Sequence, residues 1–108
     1  MGEERNSSPT TAGVYHVPAL LRETVDSLVT DPNGIYVDAT FGGGGHSREI
    51  LSRLGPEGRL FGLDRDLDAR DRCDISDERF TFVRTDFRYL PRFLTYFGVT
   101  HIDGLLAD

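Results

Sequence analysis

Lysine is missing from this chain: its 12 basic residues are all arginines, set against 18 acids for a formal net charge of −6. Without Lys there is no Gly-Lys-Ser/Thr ending, which excludes a phosphate-binding P-loop. The acidic balance also lacks the basic face with which proteins usually grip phosphate backbones. One cysteine, Cys73, excludes an internal disulfide, and no Cys or His stands near it at metal-ligand spacing. His16, His46 and His101 are too scattered for a zinc site, so no metal is expected. No apolar run is long enough to span a membrane, and residues 1–13 are polar and small rather than signal-like. Those 13 residues lack apolar periodicity and are expected to form a disordered tail, leaving 14–108 as one small domain, cytoplasmic and without a membrane partner.

What the chain does have is a glycine loop at residues 35–46, Ile-Tyr-Val-Asp-Ala-Thr-Phe-Gly-Gly-Gly-Gly-His. A β-branched run ends in Asp38, four glycines follow, and apolar residues resume at helical spacing with Ile50, Leu51 and Leu54. Strand, glycine loop and helix start, in that order, form the usual nucleotide-cofactor site of a parallel sheet. Gly42 and Gly44 match the first two glycines of a dinucleotide fingerprint, but Ser47 stands where its third small residue belongs. Asp38 lies four residues before the first glycine. A carboxylate there is awkward beside a pyrophosphate and suits a cationic amino-acid ligand, directly or through water. S-adenosylmethionine, with an ammonium, a sulfonium and no phosphate, is therefore favoured over a dinucleotide.

Residues 58–64 read as a buried strand ending in Asp64, about 20 residues beyond the glycines, where such folds place an acid on the ribose hydroxyls. The plainer reading makes Asp64 or Asp66 a helix cap. Phe80–Val83 form a third strand followed by Asp86-Phe87, and Ile102–Asp108 a fourth. Phe87 is placed either along an adenine face or in ordinary core packing, and Asp108 either at a site or at a frayed end. Around these strands, Leu21, Val25, Leu28 and Val29 stripe a first helix opened by Pro18, and Asp31-Pro32-Asn33-Gly34 is a turn. A second helix runs from His46 to Leu54 and stops at Gly55-Pro56; Pro91 opens another, ended by Gly98. Alternating strands and helices imply a parallel sheet of about four strands in the order 3-2-1-4. Arg84, Arg88 and Arg92 recur every four residues and read as a solvated charged face.

Taken in order, several stretches resemble the RsmH (MraW) family of bacterial 16S ribosomal RNA cytosine-N4 methyltransferases. They are Tyr15-His-Val-Pro-Ala-Leu-Leu21, Gly34-Ile-Tyr-Val-Asp-Ala-Thr-Phe-Gly-Gly-Gly-Gly-His-Ser47, Leu63-Asp-Arg-Asp66, Asp86-Phe87 and Ile102-Asp-Gly-Leu-Leu-Ala-Asp108. The resemblance implies a class I methyltransferase fold, Rossmann-like and α/β, that binds S-adenosylmethionine and methylates the exocyclic amine of a cytidine in small-subunit ribosomal RNA. It further implies that Gly44, Gly45 and His46 are the loop contacts to the cofactor, Asp64 the ribose acid, Phe87 the residue beside the adenine, and Asp108 the strand-four contact. One departure is the short, highly charged stretch after Asp66, where the family tends to carry a longer amphipathic helix.

The other departure is that the family continues past this last aspartate into a Leu-Gly-Val-Ser-Ser-type loop, an inserted helical domain and further strands. The chain is therefore expected to be a truncated, N-terminal part of a longer enzyme. By itself it is expected to be inactive and to self-associate through the bare edge of strand four. Catalytic residues are not identifiable, because the groups that would hold the cytosine amine are expected beyond Asp108. The RNA grip, too, is expected outside this acidic part. Two other readings remain: a nicotinamide- or flavin-binding fragment of an oxidoreductase, and a non-catalytic binding module.

Overall fold

The computed structural model describes residues 19–42, 44–66 and 73–107. The N-terminal tail, Pro18, Gly43, most of the charged stretch after Asp66, and Asp108 lie outside the described residues. Helix α1 (Ala19–Leu28) turns Val25 fully inward, with Leu21 and Leu28 packed at the margin, so the apolar stripe faces the sheet. Asp31 closes the next turn: its carboxylate accepts from Asn33 N (2.9 Å), and its carbonyl from Gly34 N (2.9 Å). Strand β1 (Ile35–Asp38) follows, then the glycine loop and helix α2 (Gly45–Leu51), strand β2 (Arg59–Asp64) and strand β3 (Phe80–Arg84). A 3-10 turn (Phe87–Tyr89) leads into helix α3 (Leu90–Tyr96), and strand β4 (Gly104–Leu106) completes the order.

The strands form one parallel sheet in the order β3-β2-β1-β4, as the alternation of elements predicts. Asp38 stands opposite Gly62 on one side and Leu106 on the other, so the carboxyl ends of β1 and β4 are level while β2 reaches on to Asp64. One face of the sheet packs Val25, Tyr36, Ile50, Leu51, Leu54 and Leu60. The other packs Val37, Phe61, Leu63, Val83, Leu90 and Val99. Gly62 is small of necessity, since a Cβ there would lie 2.8 Å from the Phe80 ring and 2.9 Å from Phe41.

Two elements are shorter than the sequence predicts. Helix α2 stops at Leu51 rather than Leu54, and Ser52 Oγ donates to Glu49 O (2.6 Å) just past its end. Leu54 is nonetheless buried, so its apolar character reports packing, not helix. Strand β4 spans Gly104–Leu106 and so begins later than Ile102; just before it the Asp103 carboxylate accepts from Ile35 N at 2.8 Å while Asp103 N donates to Ile35 O at 2.7 Å. Among the described residues no helix is long and apolar enough to cross a membrane, and no cluster of ligating side chains could hold a metal.

Candidate functional site

The site lies where β1, β2 and β3 end. Asp38, the last residue of β1, is fully buried. Its Oδ1 accepts from Thr40 N (2.8 Å) and Thr40 Oγ1 (2.6 Å), and its Oδ2 accepts from Ser47 Oγ (2.7 Å). The sequence expectation is that Asp38 suits a cationic ligand directly or through water; here both its oxygens are taken up by the loop and the side chain is fully buried. The carboxylate clamps the two ends of the glycine loop, and no cation pairs with it among the described residues.

Gly42 and Gly44 both take positive φ (48° and 87°), a conformation that favours residues without a Cβ. Gly44 N donates to Phe41 O (2.6 Å), and Gly44 then serves as N-cap of α2, with Gly45 as its first residue. His46 is half-buried, with Nδ1 3.4 Å from Thr40 Oγ1. The three loop residues expected to touch a cofactor are thus contiguous and held from beneath by Asp38 and Thr40. Helix α2 is only seven residues long, so a helix dipole adds less here than the sequence pattern suggests.

Asp64, at the end of β2, joins this loop. Its Oδ2 accepts from Gly42 N (3.2 Å) and its Oδ1 from Asp66 N (2.9 Å). The carboxylate thus caps its own turn and also faces the glycine loop. An ionised carboxylate offers about four acceptor positions, and these two bonds leave room for a pair of ribose hydroxyls. Beside it lies a cleft of about 180 Å³ lined by Ala39, Leu63, Arg65, Thr85, Asp86 and Phe87. Phe87 is 47% exposed, which removes the core-packing reading for it. Asp86 caps the 3-10 turn: it accepts from Arg88 N (3.0 Å) and approaches Arg88 Nη2 (3.4 Å) and Arg65 Nη1 (3.3 Å). The backbone bond from Arg88, then its guanidinium, hold the Asp86 carboxyl below the usual range.

Sequence reasoning missed Thr40, Ser47 and Thr85, as well as Asp86 as a lining residue. The Asp38-x-Thr40 spacing is an Asx-turn pattern that could have revealed the clamp. Asp108 lies outside the described residues, so only five of the six expected contacts are placed.

A parallel sheet in the order β3-β2-β1-β4, with a glycine loop after β1, an acid closing β2 and a half-exposed aromatic after β3, defines a Rossmann-like α/β unit. The chain belongs to the MraW methylase family, whose model matches residues 13–108. It is 60% identical over 95 residues to ribosomal RNA small subunit methyltransferase H of Phocaeicola vulgatus, covering 88% of this chain and 31% of that protein. To the protein of the same name from Flavobacterium johnsoniae it is 56% identical over 99 residues, covering 92% and 32%. The chain therefore spans about a third of the length of these curated relatives. In fold it is similar to a Clostridium thermocellum protein of known crystal structure (TM-score 0.61, 21% identity, 74% of this chain and 48% of that one).

Proposed function

We propose that this chain forms the S-adenosylmethionine-binding part of a cytoplasmic methyltransferase that modifies N4 of a cytidine in small-subunit ribosomal RNA. The observation that carries the reading is the bond from Gly42 N to Asp64 Oδ2, which sets a ribose-competent carboxylate against the glycine loop and beside the Phe87 cleft. The chemistry of the lining fits this cofactor better than a dinucleotide. Asp38 and Asp64 give the loop a negative field, Arg65 in the cleft is engaged by Asp86, and no lysine is present to meet a pyrophosphate.

When bound, S-adenosylmethionine supplies an electrophilic methyl carbon on a sulfonium. The transfer is an in-line displacement, so the protein contributes mainly alignment and exclusion of water. In this chain Asp64 orients the ribose, Phe87 offers its face to the adenine, and Gly44 and Gly45 let the backbone approach the amino-acid end. Asp38 and Thr40 keep the loop in that shape. Acceptors for the cytosine amine are not assigned to any described residue.

Calorimetry tests the reading. S-adenosylhomocysteine and S-adenosylmethionine are expected to bind, NAD is not, and Asp64→Ala is expected to weaken binding roughly tenfold to a hundredfold through loss of charge-assisted hydrogen bonds. Preferential NAD binding, or equal affinity of wild type and Asp64→Ala, would overturn it.

A further inference from the structure

Arg88, Tyr89, Arg92 and Tyr96 form a second surface, separate from the cofactor cleft. Tyr89 closes the 3-10 turn, and Arg92 and Tyr96 follow it at i+3 and i+7, on one face of α3. Together with Thr85 and Phe93, three of these residues (Tyr89, Arg92 and Tyr96) line an apolar cleft of about 400 Å³. Tyr96 is 81% exposed, with only an edge contact to Phe97 (ring centres 5.1 Å apart), and Tyr89 is also exposed, so both rings offer a face to a partner. The guanidinium carbons of Arg88 and Arg92 lie 5.6 and 5.8 Å from the Tyr89 ring centre. A guanidinium stacked on a ring can keep its N–H edge for phosphate, although Arg88 Nη2 also approaches Asp86 Oδ2 at 3.4 Å. Arg92 has no carboxylate partner among the described residues.

Charge singles out the same place. The chain as a whole is acidic, yet residues 84–97 carry three arginines and one carboxylate, Asp86. Aromatic faces interleaved with arginines are what a single-stranded nucleic acid uses: bases stack on the rings and phosphates meet the guanidinium edges.

We infer that the Arg88–Tyr89–Arg92–Tyr96 face is a contact for single-stranded RNA, holding nucleotides that flank the target base. This inference rests on the proposed RNA substrate, and it revises the reading of Arg88 and Arg92 as a merely solvated face. Thr85 lines both clefts, so a strand seated here runs up to the adenine end of the cofactor site.

The test is fluorescence anisotropy of a labelled 12-nucleotide cytidine-containing single-stranded RNA with the wild-type chain, Tyr89→Ala/Tyr96→Ala and Arg92→Gln, alongside S-adenosylhomocysteine calorimetry on each. The double tyrosine variant is expected to lose at least about fivefold in RNA affinity, the lower end of what one stacked base contributes. Arg92→Gln is expected to reduce the slope of log affinity against log salt by about 0.7, the value for one phosphate contact on a single strand. Calorimetry is expected to be unchanged in both. Absence of RNA binding by wild type, equal binding by all three proteins, or equal preference for duplex RNA would each overturn the inference. Loss of S-adenosylhomocysteine binding by wild type with RNA binding intact would instead overturn the cofactor reading and leave this surface standing.

Discussion

Replacing Asp38 by alanine is expected to remove a large share of this domain's stability, although the side chain is fully buried. Three donors converge on its two oxygens at 2.6–2.8 Å: Thr40 N, Thr40 Oγ1 and Ser47 Oγ. A hydrogen bond to a charged group is worth about 1.5–3 kcal/mol, and bonds that share one carboxylate do not add fully. Burying that charge has its own cost, which alanine relieves. The expected net loss is about 3–5 kcal/mol, against a total of about 5–15 kcal/mol for a domain of this size. With a urea slope of about 1–3 kcal/mol per molar, the midpoint should fall by more than about 1 M. Asp38→Asn separates geometry from charge. Its carbonyl can still accept from Thr40, while its amide donates to Ser47 Oγ, which must reverse its role. That variant should lose only about 1–2 kcal/mol. Equal urea midpoints for wild type and Asp38→Ala would refute the clamp and return Asp38 to the role of ligand contact.

Tyr36 is fully buried, and its hydroxyl both donates to Asp31 O and accepts from Asp31 N at 3.0 Å, so Tyr36→Phe should cost about 1–3 kcal/mol in chemical denaturation. Gly62→Ala places a methyl within 2.9 Å of two rings and should cost about 1–3 kcal/mol by overpacking, partly recovered when combined with Phe80→Leu. The Arg79 side chain holds the Asp77 carboxyl down from 3.8 to about 2. Because the folded value is the lower one, the stability from Asp77 is present above about pH 4 and lost as pH falls toward 2, and Asp77→Asn should flatten that part of an acid-unfolding curve. Leu105 in β4 is 38% exposed on a strand that no lysine guards, so sedimentation should show self-association that strengthens with salt as the acidic repulsion is screened; a monomer at high concentration in both low and high salt would exclude pairing through this edge.

Strands were the legible part of this sequence. Ile35-Tyr-Val-Asp38 and Arg59-Leu-Phe-Gly-Leu-Asp64 are apolar runs closed by an acid, and both appear as parallel strands with those acids at the site. Ends were less legible wherever a side chain took over a backbone role, as Asp103 does before β4 and Ser52 after α2. The purpose of Asp38 was hidden for a related reason: residue type announces a carboxylate near a ligand loop, but only its partners show that it faces inward. Phe87 had two equal readings because a lone aromatic after a strand packs as readily as it binds. Only its exposure beside the cleft decides against the core.

The position of β1 in the middle of the sheet sets an order of events for the chain's birth. Its amide at Ile35 bonds to Asp103, 68 residues away, and its residues Tyr36 to Asp38 align with Gly104 to Leu106. Its other side waits for β2, which is much nearer in sequence. Closing the shorter loop costs less entropy, so β1–β2 pairing with α2 packed across it should form first. One side of β1, and the face built on Val37 and Val99, then stay open until nearly the whole segment has left the ribosome. During that interval the nascent chain is a half-roofed sheet, with its glycine loop already tethered to Asp64 and its second core still wet.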